Sequence, residues 1–284
     1  MKILTTIDEV RVASSDISKA GKTIGLIPTM GYLHEGHLSL FDNANEHSDI
    51  TFASIFVNPT QFGPNEDYNK YPRDIDRDTE LAEEHNVDYL FIPDALEMYP
   101  IGFCATMYIR NLTDKFEGQL RPGHFDGVAL VVCKLFNIIR PDYAFFGQKD
   151  YQQTLVVKQM VKDLNMDTKI IVSPTIRLDS GLAMSSRNTY LSDEEKENAT
   201  VLYYAMERAK DAIDNGERNR KEINAVLHKQ LRSVQGIRID YASIALANDL
   251  SEPDYFYPNE QAVILLAVYI GKTRLIDNFL ITFQ

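Results

Sequence analysis

Apolar residues fall along the chain in two textures. Short apolar runs, "KTIGLIP" (22–28), "DITFASIFV" (49–57), "VDYLFIP" (87–93), "PDYAFFG" (141–147) and "TKIIVSP" (168–174), read as strands buried on both faces. Between them lie stretches with apolar residues at helical spacing. Leu38, Leu40, Phe41 and Ala44 predict a helix over 36–46, and others are predicted near 74–85, over "FDGVALVVCKLFNIIR" (125–140) and over "KDYQQTLVVKQMVKDLNM" (149–166). Doubly buried strands alternating with helices predict a parallel sheet with right-handed crossovers. The pattern does not contain the strand order.

The texture changes after about Thr175. "SDEEKENATVLYYAMERAKDAIDNG" opens with Ser192 and Glu195 at capping-box spacing and closes on Gly216, which predicts one helix. A second helix is predicted to end at Gly236. "IRIDYASIAL" and "AVILLAVYIGKTRLIDNFLI", the latter hinged at Gly271-Lys272, predict a strand and a hairpin. The expected fold class is α/β: an N-terminal Rossmann-like, doubly wound parallel sheet over 1–175, and a smaller α+β domain over 176–284 acting as a lid. No internal repeat or low-complexity segment interrupts it.

Composition narrows the partners. The 284 residues carry a formal net charge of −12, with 29 basic against 41 acidic side chains, which disfavours a polynucleotide partner. The longest apolar run, "AVILLAVYIG", is about half the roughly 20 residues of a membrane span. The start of the chain carries no export-like apolar stretch, and Cys104 and Cys133 stand in no metal or redox spacing. A cytoplasmic protein without a membrane or nucleic-acid partner is expected.

The candidate chemistry begins at "IPTMGYLHEGH", where the first long strand turns into a helix. Such a turn is where parallel sheets bind ligands and where helix amides attract phosphate. A lysine-type phosphate loop fails, because His37 and Leu38 stand where Lys and Ser or Thr belong; a dinucleotide fingerprint fails, because only Gly31 and Gly36 occur. Zinc between His34 and His37 lacks an evident third ligand. Two imidazoles over bound phosphates remain, beside the plainer reading of two surface histidines. "GQKD" (147–150) ends another predicted strand, and "MSSR" (184–187) follows Gly181 in a loop. Lys149 and Arg187 offer permanent positive charge, and Ser185 and Ser186 offer small donors. Lys149 also reads as a solvated helix-start lysine, although a cation there opposes the helix dipole.

In this order, "PTMGYLHEGH", "FVNPTQF", "RPGHFDGV", "GQKDYQQ" and "MSSRNTYLS" resemble the pantothenate synthetase family, the ligases that join pantoate to β-alanine. Singly, the histidine string resembles the HIGH motif of the nucleotidylyltransferase superfamily, and "MSSR" its KMSKS-type loop. The resemblance implies two steps: pantoate carboxylate attacks the α-phosphorus of ATP to give pantoyl adenylate and pyrophosphate, and the β-alanine amine then displaces AMP. It implies an ATP site of Met30, Gly31, Tyr32, Leu33, His34, Glu35, Gly36 and His37, completed by Gly147, Gln148, Lys149, Asp150, Ile176, Met184, Ser185, Ser186 and Arg187. Its catalytic residues are His34, His37, Lys149, Ser185, Ser186 and Arg187. Gln61 and Gln153 hold pantoate, with Gln61 also near β-alanine; Asn58, Arg121 and His124 are secondary candidates.

The resemblance further implies Mg²⁺, with Asp78 as the protein contact, and a homodimer. At "RDIDRDTE" the family tends to carry consecutive acidic residues, whereas Arg77 precedes Asp78 here. Two other classes stay open at this point: a nucleotidylyltransferase acting on a phosphorylated small molecule, and a nucleotide-sensing module that binds without turnover.

Overall fold

The computed structural model describes residues 1–64 and 66–284. Six strands form one sheet: β1 (Lys2–Leu4), β2 (Ile24–Thr29), β3 (Ile50–Ile55), β4 (Tyr89–Phe91), β5 (Tyr143–Gly147) and β6 (Lys169–Ser173). All neighbouring pairs are parallel, in the order β1-β4-β3-β2-β5-β6. The helices are α1 (Ile7–Lys19), α2 (Glu35–His47), α3 (Ile75–Glu84), α4 (Ala95–Met98), α5 (Phe116–Leu120), α6 (His124–Ile139) and α7 (Tyr151–Asp163). The parallel sheet and its helices match the expected class. β1 and α1 were not among the predicted elements. β1 is only three residues long, but α1 had readable signals, a Thr6–Glu9 capping box and buried Val10, Ala13 and Ile17 at helical spacing.

The pleat sorts consecutive strand residues onto opposite faces. Leu26, Phe52 and Ala144 join Val10 and Ile17 of α1, Val128 and Val132 of α6, and Val156 and Met160 of α7 in one core. Their chain neighbours Ile27, Ala53 and Phe145 join Leu40, Phe41 and Ala44 of α2 and Ala82 of α3 in another. The sheet is therefore apolar on both sides, which is why its strands read as continuous apolar runs. From β2 the chain continues to β3 on one side, and from β5 to β6 on the other, so the order reverses between β2 and β5. The carboxyl ends of those two strands flank the crevice where such sheets bind ligands.

Register at the opposite edge is fixed by one device used three times. Asp49, Asp88 and Asp142 each directly precede a strand, and each carboxylate accepts the backbone N–H of the neighbouring strand's entry: Thr23 at 2.9 Å, Thr51 at 2.8 Å and Ile24 at 2.8 Å. Asp88 and Asp142 also donate their own N–H groups back, to the carbonyls of Thr51 and Ile24. A slip of one residue would break these clamps and turn every apolar side chain to the wrong face.

The remaining elements are α8 (Asp193–Ala199), α9 (Val201–Asp214), α10 (Arg220–Leu231) and the antiparallel sheet β7 (Arg238–Leu246), β8 (Gln261–Ile270) and β9 (Thr273–Thr282). Leu202, Met206, Ile223 and Leu227 of the helices pack with Ile244, Ile264 and Leu266 of the sheet. The predicted single helix over 192–216 is divided at Thr200, whose hydroxyl donates to the Glu197 carbonyl at 2.7 Å and competes with the helical ladder. The next helix ends at Leu231, short of the expected Gly236. The hairpin turns between Ile270 and Thr273, as its glycine implied. Two compact units result, one of residues 1–148 and 152–174, the other of 149–151 and 175–284.

Asp142→Ala removes a charged acceptor from the β2 edge and is expected to cost about 1.5–3 kcal/mol, the usual worth of a hydrogen bond to an ionised group. Urea unfolding checks this: the midpoint falls with the slope unchanged, and an unaltered midpoint contradicts a register role.

Candidate active site

The turn after β2 is held in a conformation that most residues resist. Gly31 and Tyr32 both have positive φ, at 81° and 53°. A Cβ on Gly31 would lie 2.9 Å from both Asp78 Oδ2 and Ile55 Cγ2, so glycine is required by space as well as by conformation. Tyr32 is held by hydrogen bonding. Asp78 Oδ2 accepts the Tyr32 N–H at 2.6 Å and Oδ1 accepts the Leu33 N–H at 2.7 Å. Arg77 Nη1 donates to the Leu33 carbonyl at 2.9 Å, and its guanidinium lies 5.6 Å from the Tyr32 ring centre. Thr29 Oγ1 accepts the Gly31 N–H and donates to the Ser54 carbonyl. Asp78 is completely buried; burial raises its pKa, opposed by the two amides and Arg77. The Arg77-Asp78 pair, an apparent departure from the motif, is thus the clamp that sets Met30–Leu33.

His34 ends that turn as the N-cap of α2. Its Nδ1 accepts the Gly36 N–H at 3.1 Å, while its own N–H donates to His37 Nδ1 in a longer contact of 3.4 Å. With both Nδ1 atoms accepting, the network assigns the proton of each neutral ring to Nε2. The rings lie 4.1 Å apart between centres. Both are half-buried, whereas Glu35 between them is exposed. The capping geometry turns two ordinary imidazoles into a pair of oriented donors beside the α2 amides.

Gln61, in the loop after β3, is buried at 8% exposure and held from several sides. Its Oε1 accepts from Asn58 Nδ2 at 3.0 Å, and its carbonyl faces His124 Nδ1 at 2.9 Å. Asn58 Nδ2 also donates to the Gly127 carbonyl, and Asn58 Oδ1 accepts from the Thr60 and Tyr99 hydroxyls. Gly127 lies so close to Thr60 that any Cβ would strike the Thr60 carbonyl. Arg121 Nη1 meets His124 Nε2 at 3.1 Å; because arginine only donates, Nε2 must accept and Nδ1 must carry the proton to Gln61. Burial and the Arg121 charge lower the His124 pKa to about 4, so it stays neutral at pH 7. Arg121 also grips Glu66 through two hydrogen bonds of 2.6 and 2.8 Å. Burial opposes ionisation of Glu66, yet the Arg121 bonds and charge bring its pKa down to about 2. The secondary candidates Asn58, Arg121 and His124 therefore form the support of Gln61.

At the end of β5, Gly147 and Gln148 are half-buried. In α7 the adjacent glutamines divide their tasks. Gln152 is buried and donates to the Leu112 and Lys115 carbonyls while accepting the Glu117 N–H; Gln153 is half-buried one position on. The sequence distinguished Gln153 only by motif, and nothing local separated it from the structural Gln152.

Lys149 and Asp150 belong to the second unit. The Lys149 ammonium lies 3.7 Å from Asp150 Oδ1. Ser185 caps a short helical turn by accepting the Arg187 N–H at 3.3 Å, with Ser186 buried at its start. The segment from half-buried Ile176 to Met184 folds back on itself, with the Met184 N–H donating to the Ile176 carbonyl at 2.9 Å. At its base Arg177 pairs with buried Asp277 of β9 at 2.6 and 2.8 Å and bonds the Gly181 carbonyl. Gly181, at φ 89°, lies against the Tyr203 ring. Asp277 and its neighbour Asn278 are polar residues that the sequence reading missed. Their only local signal is a buried-type strand interrupted by "DN".

A family model described as pantoate-beta-alanine ligase matches residues 2–280. The pantothenate synthetase of Caldicellulosiruptor saccharolyticus is 52% identical over 282 residues, covering 99% of each chain, and that of Pelotomaculum thermopropionicum is 50% identical over 278 residues, covering 98% of each. Among solved structures, pantothenate synthetase from Thermus thermophilus superposes with a TM-score of 0.91 at 41% identity, covering 98% of this chain and 99% of that one. Pantoate-beta-alanine ligase from Francisella tularensis, complexed with beta-gamma ATP and beta-alanine, gives 0.81 at 37% identity, covering 99% and 97%. With the fold and the motif loops in place, these likenesses over nearly the whole length mean that the chain belongs to the pantoate–β-alanine ligase family.

Proposed function

We propose that the chain condenses pantoate with β-alanine at the expense of ATP, releasing AMP and pyrophosphate, with the site residues in the following roles. The observation that carries this assignment is a contact between two motif loops: Gln61 Nε2 donates to Met30 Sδ at 3.2 Å. The amide proposed for pantoate therefore abuts the turn proposed for the ATP phosphates. A pantoate carboxylate held by Gln61 and Gln153 would stand next to phosphates bound at the α2 amides, as in-line attack on the α-phosphorus requires.

In the first step a carboxylate oxygen bonds to the α-phosphorus and the bond to pyrophosphate breaks. His34 and His37 each present an Nε2–H to oxygens on which negative charge grows. The second unit supplies Lys149, Ser185, Ser186 and Arg187 as further donors to phosphate, beside Ile176 and Met184 against the nucleotide. In the second step the β-alanine amine bonds to the acyl carbon, AMP leaves with the electron pair of the cleaved C–O bond, and the nitrogen gives up a proton to solvent. Gln61 would also orient that amine. No protein nucleophile is needed, and the site is correspondingly made of donors.

Magnesium would neutralise the departing pyrophosphate. The residues present do not make a cage for it: both Asp78 oxygens are committed to amides, and among the described residues no group of three or more histidine, cysteine or acidic side chains could hold a metal. Any bound Mg²⁺ would take most of its ligands from ATP, and no step here runs through it.

The decisive test is isotope exchange between pyrophosphate and ATP, followed with AMP and pantothenate formation. Exchange that requires pantoate, with sustained AMP release only when β-alanine is added, supports the two-step reading; ATP binding without either reaction contradicts it. His37→Ala is expected to slow adenylate formation by roughly 10²–10³. A loss under about threefold removes His37 from that role.

Asp78→Asn keeps the size but withdraws one amide acceptor, so adenylate formation should fall by roughly 10–10² through misplacement of the turn. The Mg²⁺ concentration giving half-maximal rate should not change; a marked increase would instead identify Asp78 as a metal contact. A pH effect follows from His124. Its folded pKa of about 4 lies below the ordinary 6.5, so between those values the unfolded chain binds more protons and stability is lost as pH falls. Glu66, at about 2 against 4.5, adds a loss in the same direction below pH 4.5. Urea midpoints of His124→Gln should therefore decline less than those of the wild type from pH 6.5 to 4, and parallel declines would contradict the neutral, buried His124.

A further inference from the structure

Lys149, Asp150 and Tyr151 follow β5 in the chain, yet they cluster with the antiparallel sheet. Two hydrogen bonds from buried side chains hold them there. Asn278 Nδ2 donates to the Lys149 carbonyl at 2.8 Å, and the Tyr151 hydroxyl donates to the Ala247 carbonyl at 2.7 Å. Asn278 is 1% exposed, and burying a carboxamide is costly unless its donors are used. The Tyr151 pKa is pushed up to about 12 by burial, so the hydroxyl keeps its proton and remains a donor. The residue before Asn278 in β9 is Asp277, which grips Arg177 at the base of the segment leading to Ser185. Two consecutive residues of one strand thus fix the backbone of Lys149 and the loop that carries Ser185–Arg187.

We propose that Asn278 is a positioning residue for adenylate formation, acting through Lys149 so that this ammonium and the Ser185–Arg187 donors reach ATP as one preset cationic group. The proposal rests on the assignment of Lys149 to the ATP phosphates. Lysine is a long, flexible cation, and its value to a transition state depends on how much of its freedom has already been removed. Holding the backbone from which it springs is the contribution open to a residue that does not touch ATP.

The test is a double-mutant cycle read in pantoate-dependent ATP–pyrophosphate exchange, using Asn278→Ala, Lys149→Ala and the double variant of the full chain. Asn278→Ala should slow exchange about tenfold, while β-alanine attack on supplied pantoyl adenylate stays within about twofold of the wild type. The double variant should be no slower than Lys149→Ala alone. Additive losses, or an equal loss in both half-reactions, overturn the proposal by showing a general structural effect. Tyr151→Phe, which keeps the ring and removes the second tie, should show the same non-additivity with Lys149→Ala, and it serves if Asn278→Ala does not fold. If Lys149→Ala exchanges at the wild-type rate, the assignment of Lys149 fails and the proposal fails with it. If Lys149→Ala is slow and Asn278→Ala and Tyr151→Phe are both normal, only the proposal fails.

Discussion

A buried carboxylate receiving two main-chain amides is an expensive arrangement, and Asp78 is placed so that its cost is offset by the turn it fixes. Two successive residues with positive φ would otherwise relax, since Tyr32 has a Cβ and gains nothing locally from the left-handed region. What is proposed for the histidines and the α2 amides depends on that turn. Its end point, His34, sets the start of α2, and through the capping interactions sets the facing of both imidazoles. Strain of this kind persists only when surrounding structure over-determines it, and here Thr29, Arg77 and Asp78 all act on Gly31, Tyr32 and Leu33.

The same division between support and chemistry recurs around Gln61. Its side chain is flexible and its backbone belongs to a single short helical turn, Pro59–Gln61, so precision must come from neighbours. Asn58, His124, Arg121 and Glu66 supply it as a chain of donors and acceptors in which each member fixes the next. Burial strengthens such a network and makes any unsatisfied member costly, which confines the chain to one proton arrangement. Neutral His124 is a consequence: protonation would fill the Nε2 lone pair that accepts from Arg121 and set a second positive charge beside that guanidinium.

In the proposed reaction the second unit has a different task, that of presenting flexible cations. Its core is an apolar antiparallel sheet under two helices, and the polar pair Asp277-Asn278 stands out within β9. A buried arginine–aspartate pair is weak support for stability in itself, because desolvation consumes much of the attraction. Its value is directional. The bidentate geometry orients the segment ahead of Ser185 in a way that apolar packing alone would not.

By itself the sequence determined the alternation of strands and helices, the hairpin at Gly271, the capped helix start at Ser192 and the motif loops at Met30–His37, Gln61, Lys149 and Ser185–Arg187. These are readable because periods of two and of 3.6 residues, capping and turn chemistry are local properties of a chain. Three things were decided only in the tertiary structure: the strand order that brings the ends of β2 and β5 side by side, the use of Asp78 as an anchor, and the supports of the site residues. Asp78 reaches Leu33 across 45 residues, Arg121 reaches Glu66 across 55, and Asn278 reaches Lys149 across 129. An aspartate, an arginine or an asparagine looks the same in a linear chain whether it meets water, a metal or a distant amide. Only packing removes the water and leaves one partner within hydrogen-bonding distance.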